Sequence, residues 1–472
     1  MRTASIPLLL SLLLSACAAP RPQPPAPELA PTAYKETGVW KHADGAAAVA
    51  PVPDDWWTLF HDPVLDDLQQ RLVVGNQNLR LVLAQMANAR ALRDASRSAT
   101  LPTVSVGAGA TRNATASGTT ASSAQNPSNS LSLSASAAWE LDLWGRLETA
   151  TQAAQASYQA SADDLASARL SASATLTQTY LAMRAAEAQR ALLERSTIAY
   201  ERSLALTQAR YDAGVAARSD VLQAQIQLAN AQVQQREASV QRAQLEHAIA
   251  VLLGLAPSAL TLAPTGALPA LPEVPQMLPS TLLERRPDIA AAQRRVAAAY
   301  AQIGVADAAF FPSIGLSATA GLRDAALAHL ISAPNLFWSL GASVAQSVFD
   351  GGQRKLASAQ ARASADQVTA SYRQVVLTAL QEVEDNLVLL EQLRLESQLQ
   401  QQALQAAQRN LDITQAQYRA GTVSYLSVVT AQNAALGAES TSLSVHNRQL
   451  AAVNLLLKNV AGRWQPVADA AR

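Results

Sequence analysis

Cysteine is nearly absent from this chain of 472 residues: Cys17 is the only one, so the chain cannot form an internal disulfide. An excess of charge of one sign is lacking too, because 36 basic and 36 acidic residues cancel. This balance excludes an overall field that would favour nucleic acid or an anionic surface as a partner. Past the N-terminal segment, no apolar run is long enough to form a transmembrane helix.

Signatures of catalysis and of metal binding are missing as well. The five histidines are scattered along the chain and show no metal-ligand spacing. Gly351-Gly352 lacks the Lys-Ser/Thr that follows the glycines of a phosphate-binding loop, and no Ser/His/Asp or Cys/His arrangement stands out. We therefore predict no enzymatic activity, no metal site and no cofactor.

Proline and glycine are also missing from two long stretches, residues 146–213 and 353–420. Both stretches are rich in Ala, Leu, Gln, Glu and Arg, which favour helix, and this predicts long helices over 145–213 and 352–420. Each would be roughly 100 Å long at 1.5 Å per residue. Apolar residues that include Val383, Leu390 and Leu404 fall on one seven-residue spacing, which predicts coiled-coil contact with other helices.

The chain contains an internal duplication. The segment from Thr207 to Gly214 matches the segment from Thr414 to Gly421, 207 residues later. We predict a first structural repeat over 54–254, a proline-rich connector over 255–279, a second repeat over 280–462 and a C-terminal tail over 463–472. Each repeat begins with a helix, interrupted near Gly75 in the first, and its long helix is followed by a return helix, over 219–253 and 427–461.

Between the first helix and the long helix of each repeat, the hydrophobic period changes from helical to two. This predicts four strands at about 102–113, 130–142, 312–322 and 337–349, each with an apolar face and a face of small polar residues. Strands of about ten residues can cross a bilayer as part of a barrel. The alternative is a soluble sandwich that buries the apolar faces.

Four strands cannot close a barrel, and an open edge in hydrocarbon leaves backbone groups without partners. Several chains must then share one barrel. Two chains would give eight strands and an interior filled by side chains, whereas three would give twelve strands and room for a channel. Since the polar faces carry small side chains, we favour three chains.

The N-terminus predicts export and lipid attachment. A basic residue and a short apolar run lead to Leu14-Ser15-Ala16-Cys17, which resembles the lipobox of bacterial lipoproteins. This predicts a signal peptide over 1–16, a lipidated Cys17 and a proline-rich tether over 17–53. The alternative is an ordinary signal peptide with an incidental cysteine. Ala18 follows the cysteine, which in this resemblance points to the outer membrane.

An ordered set of motifs resembles the TolC-like outer-membrane efflux proteins, in particular the lipid-anchored NodT or OprM type. The set comprises the lipobox, Trp56-Trp57 with Phe60 and Asp62-Pro63, Arg286-Pro287-Asp288-Ile289 and the paired Tyr-x-x-Gly turns. The resemblance implies a mainly helical homotrimer with four strands per chain in a 12-stranded outer-membrane barrel, continued by a long periplasmic α-helical barrel. It also implies a periplasmic adaptor and an inner-membrane pump of the RND type as partners, in a Gram-negative bacterium.

The resemblance places the periplasmic tip of the tunnel at residues 211–220 and 418–430, where charged residues of relatives close the resting channel. The candidate tip and gate residues here are Tyr211, Gly214, Ser219, Asp220, Tyr418, Gly421, Ser427 and Thr430. Ser427 and Thr430 stand where the family commonly has aspartates, and Val423 stands where TolC has an arginine. A gate would then rely on Asp220, the tyrosines and hydrophobic closure; alternatively, Asp220 is the N-cap of the next helix.

The favoured function is a passive exit duct of a tripartite efflux system that conducts small molecules or drugs. Two alternatives stay open at this point. The same architecture suits the outer-membrane duct of a type I protein secretion system, and the coiled-coil signals also suit a lipid-anchored scaffold without a pore.

Overall fold

The computed structural model describes residues 23, 34–36, 55–114, 127–274 and 286–460. The predicted signal peptide, Cys17 and the C-terminal tail lie outside these residues. The chain forms two compact units, and each long helix contributes residues to both. Among the described residues, the first unit draws on residue 23, Gln85–Ser161 and Ala291–Tyr372, and the second on the remainder.

The elements follow the same order in both halves of the chain. After a short 3-10 helix at Trp56–Phe60, the first half contains α1 Pro63–Gly75, α2 Gln77–Ser98, β1 Thr103–Asn113, β2 Ser128–Leu141, α3 Arg146–Asp212 and α4 Arg218–Leu252. The second half contains α5 Pro287–Ala308, β3 Ser313–Asp324, β4 Leu336–Ala345, α6 Gln353–Arg419 and α7 Tyr425–Val460. The long helices α3 and α6 have 67 residues each. In the part of the chain described, no helix combines the length and the apolar character needed to cross a membrane.

The first unit contains a single antiparallel sheet in the order β1-β2-β3-β4. Its register aligns Val104, Ala137, Ala318 and Leu340 in one row across the strands. The adjacent row, on the opposite face, consists of Ser105, Ser136, Thr319 and Ser339. The sheet therefore has one apolar face and one hydroxyl-lined face, as strand alternation requires.

The apolar face of this sheet is exposed in the single chain. Val104 is 72% exposed and Leu340 76% exposed. The described strands form one layer, so the soluble sandwich expected as an alternative is wrong for this sheet. The outer strands β1 and β4 each pair with one neighbour among the described strands. The outward backbone amides and carbonyl groups of these two strands therefore have no strand partner within the described sheet.

In the second unit, α1 and α7 pack on α3. The Gln69 side chain of α1 donates to the carbonyl oxygen of Ser173 and to the hydroxyl of Thr177, both at 2.9 Å. From α7, Asn454 donates to the carbonyl oxygen of Ala174 at 3.0 Å. The apolar faces of α1 and α7 are buried through Leu65, Leu68, Leu72, Leu450, Val453, Leu456 and Leu457.

A buried charge network also holds the second unit together. The Arg184 guanidinium donates to Glu187 at 2.8 Å, to the Tyr180 hydroxyl at 2.9 Å and to the carbonyl oxygen of Ala263 at 2.9 Å. The side chains of Arg184 and Glu187 are each 2% exposed. Arg242 donates to the second oxygen of Glu187 at 3.1 Å. The network therefore fixes the connector after α4 on α3.

At the break between α1 and α2, the backbone passes close to the end of α4. A Cβ atom added to Gly75 would lie 2.1 Å from the carbonyl oxygen of Leu253. A Cβ added to Gly254, whose φ is +71°, would lie 2.1 Å from the carbonyl oxygen of Gly75. Asn76 donates its side-chain amide to the carbonyl oxygen of Leu252 at 2.7 Å. Only glycines allow the two chain segments to approach this closely.

Candidate functional site

The first turn of the candidate site joins α3 to α4. After α3 ends at Asp212, Gly214 adopts φ +77°, in the left-handed region that favours glycine. The amide of Val215 donates to the carbonyl oxygen of Arg210 at 2.9 Å, and that of Gly214 to the carbonyl oxygen of Tyr211 at 2.8 Å. This pair of bonds is a Schellman motif, which ends a helix by satisfying its last carbonyl groups.

The second turn, between α6 and α7, repeats this geometry. Gly421 has φ +80°. The amide of Thr422 donates to the carbonyl oxygen of Gln417, and that of Gly421 to the carbonyl oxygen of Tyr418, both at 3.0 Å. The two predicted turn glycines thus end the two long helices in the same way, at positions 207 residues apart.

Tyr418 forms the centre of a buried cluster at the second turn. Its ring centre lies 5.6 Å from that of Tyr425, and both rings pack with Ala224 of α4 and with Val428 and Val429 of α7. The cluster joins the first helical pair to the second through apolar contact. Whether this apolar contact closes a channel stays a prediction.

The hydroxyl groups of the cluster lie within weak hydrogen-bonding distance of α3. The Tyr425 hydroxyl lies 3.3 Å from that of Ser203, and the Tyr418 hydroxyl 3.5 Å from that of Thr207. Burial raises the pKa of Tyr425, the hydrogen bond with Ser203 opposes this effect, and the nearby Tyr418 and Asp220 add to it. Tyr425 is therefore neutral at physiological pH.

Arg210 links the two turns directly. Its guanidinium donates to the backbone carbonyl oxygen of Tyr418 at 2.7 Å and lies 4.7 Å from the centre of the Tyr418 ring. The same side chain passes beside Gly421, where an added Cβ would lie 3.7 Å from it. Sequence reasoning did not select this residue. The available signal was a difference between the duplicated segments, since Gln417 stands at the equivalent position.

Tyr211 has different surroundings from its counterpart Tyr418. It is half-buried, and the Arg218 guanidinium lies 5.7 Å from its ring centre. Arg218 occupies the position equivalent to Tyr425 in the second repeat. A cation–π pair in the first turn thus replaces the pair of tyrosine rings in the second.

The alternative role of Asp220 as a helix N-cap is wrong. Helix α4 begins at Arg218, and its N-cap is Ala217 in an extended conformation without a side-chain cap bond. Asp220 lies in the first turn of the helix, where its backbone amide donates to the carbonyl oxygen of Ala217 at 3.1 Å. An acidic residue there still interacts favourably with the helix dipole, by about 0.3–1 kcal/mol. Ser219 beside it is exposed.

The second turn has no acidic side chain at positions 427 and 430, where this chain has Ser427 and Thr430. The Thr430 hydroxyl donates to the carbonyl oxygen of Leu426 in its own helix at 2.9 Å, and the hydroxyl of Ser427 lies 3.4 Å from that of Ser424. Over 210–220 and 417–430, the charged side chains are those of Arg210, Asp212, Arg218, Asp220 and Arg419. The turns therefore carry three positive charges against two negative ones.

Comparison with known proteins identifies the family. The family described as "Outer membrane efflux protein" matches residues 68–255 and 278–462. The chain belongs to this family. The two matched segments coincide with the two halves that share one order of elements, so the expected family resemblance is confirmed.

Relatives and solved structures of outer membrane efflux proteins match nearly the whole chain. The pyoverdine export outer membrane protein OpmQ of Pseudomonas aeruginosa is 31% identical over 433 residues, 90% of this chain and 91% of that protein. The probable efflux pump outer membrane protein TtgC of Pseudomonas putida is 32% identical and covers 89% of this chain, with 87% of its own length matched. The structure of the outer-membrane channel OprN superposes with a TM-score of 0.88 at 30% identity, over 95% of this chain and 100% of OprN.

The predicted mainly helical, TolC-like fold, the efflux function and the outer-membrane location are therefore confirmed. This efflux protein is a mainly helical, TolC-like outer-membrane exit duct of a tripartite efflux system, and its helices form the periplasmic tunnel. The trimer with its shared 12-stranded barrel, the lipid on Cys17 and the roles of the turn residues stay predictions.

Proposed function

We propose that three copies of the chain form one channel, which conducts small molecules passively from an inner-membrane pump of the RND type and its periplasmic adaptor to the exterior. The observation that carries this proposal is the four-stranded sheet. It has an exposed apolar face, a hydroxyl-lined face and an open edge at β1 and at β4. Cys17 carries the lipid anchor in this proposal, and no cofactor takes part.

The sheet supports the number of copies. Pairing β1 of one copy with β4 of the next would satisfy the backbone groups of both edges, which in hydrocarbon cost several kcal/mol each when they lack partners. Three copies give a barrel of twelve strands. The inward row of Ser105, Ser136, Thr319 and Ser339 has small side chains, so the interior of such a barrel keeps room for solute.

The return helix α4 supports contact between copies in the tunnel. Ile226, Val233 and Val240 follow one another at seven-residue spacing and are 52%, 56% and 56% exposed in the single chain. A seam with this spacing suits coiled-coil packing against a second helix. The long helix of a neighbouring copy is the natural occupant of this seam.

The turns serve as the gate of the closed channel in this proposal. Tyr211, Gly214, Ser219 and Asp220 belong to the first turn, and Tyr418, Gly421, Ser427 and Thr430 to the second. We add Arg210 to these gate residues because its guanidinium joins the two turns through the carbonyl oxygen of Tyr418. Opening requires the helical pairs to separate at this link, so its loss should favour the open state.

We expect Arg210→Ala to raise the resting conductance of the purified protein in planar bilayers by about tenfold, the change that loss of a charge-assisted hydrogen bond of about 1.4 kcal/mol would produce. Arg409→Ala, an exposed arginine on α6, should leave conductance unchanged. Equal conductance in the two variants would remove Arg210 from the gate. A protein that never conducts ions at any voltage would exclude the duct itself.

Asp220→Ala provides a separate test of the gate. If the charge of Asp220 holds the turns closed, resting conductance should rise severalfold, whereas loss of a favourable dipole interaction alone lowers thermal stability by about 0.3–1 kcal/mol. Bilayer recordings and thermal unfolding of the same preparation distinguish these results. Unchanged conductance with lower stability would leave Asp220 a helix-stabilising role only.

We expect Cys17→Ala to abolish incorporation of labelled fatty acid, because the sulfur that carries the lipid is gone. The circular dichroism spectrum of the variant should match that of the wild type, since Cys17 lies far in sequence from every helix and strand that the structure describes. The measurement is lipid label on the purified protein together with its circular dichroism. Label that persists in the variant would exclude the lipid anchor at this residue.

A further inference from the structure

The segment Tyr34–Glu36, from the predicted N-terminal tether, is bound to α6. The backbone amides of Lys35 and Glu36 donate to the two carboxylate oxygens of Glu384, each at 2.7 Å. Two adjacent amides thus bind both oxygens of one side chain. Hydrogen bonds to an ionised acceptor are stronger than neutral ones, so this is a specific attachment of the main chain.

The side chains of this segment alternate between the interior and solvent. Tyr34 is 7% exposed, whereas the Lys35 side chain is 89% exposed. Burial raises the pKa of Tyr34, and the charge of Glu384 adds to this effect while Arg286 opposes it. A neutral tyrosine ring is therefore inserted beside the carboxylate that holds the main chain.

The surface that receives the segment is itself cross-linked. Arg286 donates to both oxygens of Asp288, at 3.0 and 2.7 Å, to Glu382 at 2.8 Å and to the Asn459 side chain at 3.3 Å. These contacts join the start of α5, the middle of α6 and the end of α7. Glu384 follows Glu382 by two residues on α6, about half a helical turn, so the tether is bound next to this cross-linked part of the second unit.

We propose that Glu384 is the mechanical attachment point of the lipidated N-terminus, so that the tether effectively ends at Tyr34 rather than at Trp56. This inference rests on the proposed lipid at Cys17. Tyr34 follows Cys17 by 17 residues, which span at most about 60 Å when fully extended. Trp56, the next fully buried residue among those that the structure describes, follows Cys17 by 39 residues, which would span about 140 Å. The attachment therefore more than halves the reach of the anchor.

Limited trypsin digestion tests the attachment, because cleavage after Lys35 requires the segment to leave α6. Glu384→Gln and Glu384→Ala should each raise the rate of cleavage after Lys35 in the assembled protein by about tenfold. Glu396→Gln is the matched control, since Glu396 lies on the same helix and pairs with Arg448 on the surface. Equal cleavage rates in the wild type and both Glu384 variants would overturn the proposal.

A second experiment tests whether the attachment carries tension from the lipid. Progressively longer deletions within 18–33 should at some length pull the segment off Glu384 and accelerate cleavage after Lys35. The same deletions in a chain exported with a cleavable signal and without lipid should have no effect. Deletions that act equally in both chains, or in neither while lipid label is present, would overturn the mechanical role. Absence of lipid label from the parent protein would instead show that the lipid anchor itself is wrong.

Discussion

Replacing Gly75 by alanine is expected to lower the free energy of unfolding by about 3 kcal/mol, the upper part of the usual range for overpacking. The new Cβ would lie 2.1 Å from the carbonyl oxygen of Leu253 and 3.1 Å from its carbonyl carbon. Both are backbone atoms, so no side-chain rotation can relieve the clash. The end of α1 and the end of α4 would have to separate, with loss of the Asn76 bond to Leu252.

Gly437→Ala provides the control for this prediction. Gly437 lies inside α7, and an added Cβ there meets no atom of the chain within 4 Å. Alanine at a compatible helical position is neutral or stabilises by about 0.5–1 kcal/mol. Thermal unfolding followed by the helical circular dichroism signal compares the variants. If Gly75→Ala unfolds at the same temperature as Gly437→Ala and the wild type, the close approach of α1 and α4 does not exist in solution.

The second large effect is expected for Arg184→Ala, which should destabilise the chain by about 3–5 kcal/mol. The substitution removes one of two guanidinium groups that contact Glu187, a carboxylate that is 2% exposed. It also leaves the carbonyl oxygen of Ala263 without that donor. Because burial prevents water from replacing these bonds, the cost far exceeds that of losing a surface ion pair.

Arg195→Ala is the matched control on the same helix. Arg195 pairs with Glu439 at 2.6 Å, a shorter distance than that of the buried pair, but its side chain is 64% exposed. Surface pairs contribute about 0–1 kcal/mol, so this variant should unfold almost as the wild type does. Comparing the two variants shows whether the burial of an ion pair or the distance between its charged groups decides how much stability is lost. Similar losses in both would show that the Arg184 network is not excluded from water.

Local sequence rules predicted the long helices because their determinants lie within the segments themselves. The absence of proline and glycine over 146–213 and 353–420 leaves helix as the only regular structure of that length. The glycines at 214 and 421 mark the turns because the left-handed conformation favours them. The sheet was predicted from period-two alternation, and its faces carry the residues that this period assigns to them.

The contacts between helices could not be predicted in this way. Arg210 reaches a carbonyl oxygen 208 positions away, and Arg184 reaches the connector at Ala263. Such contacts depend on how helices pack, and no local rule encodes that. The N-cap at Ala217 is a related case: the Schellman turn at Gly214 sets the path of the chain, so α4 begins before the polar residues that capping preferences favour.

The bond between Arg210 and Tyr418 needs no acidic side chain in the second turn, because the Arg210 guanidinium donates to a carbonyl oxygen. A closed state held by this bond would not depend on aspartates at positions 427 and 430, where this chain has Ser427 and Thr430. The acceptor also belongs to the main chain, so no side-chain replacement at position 418 can delete it.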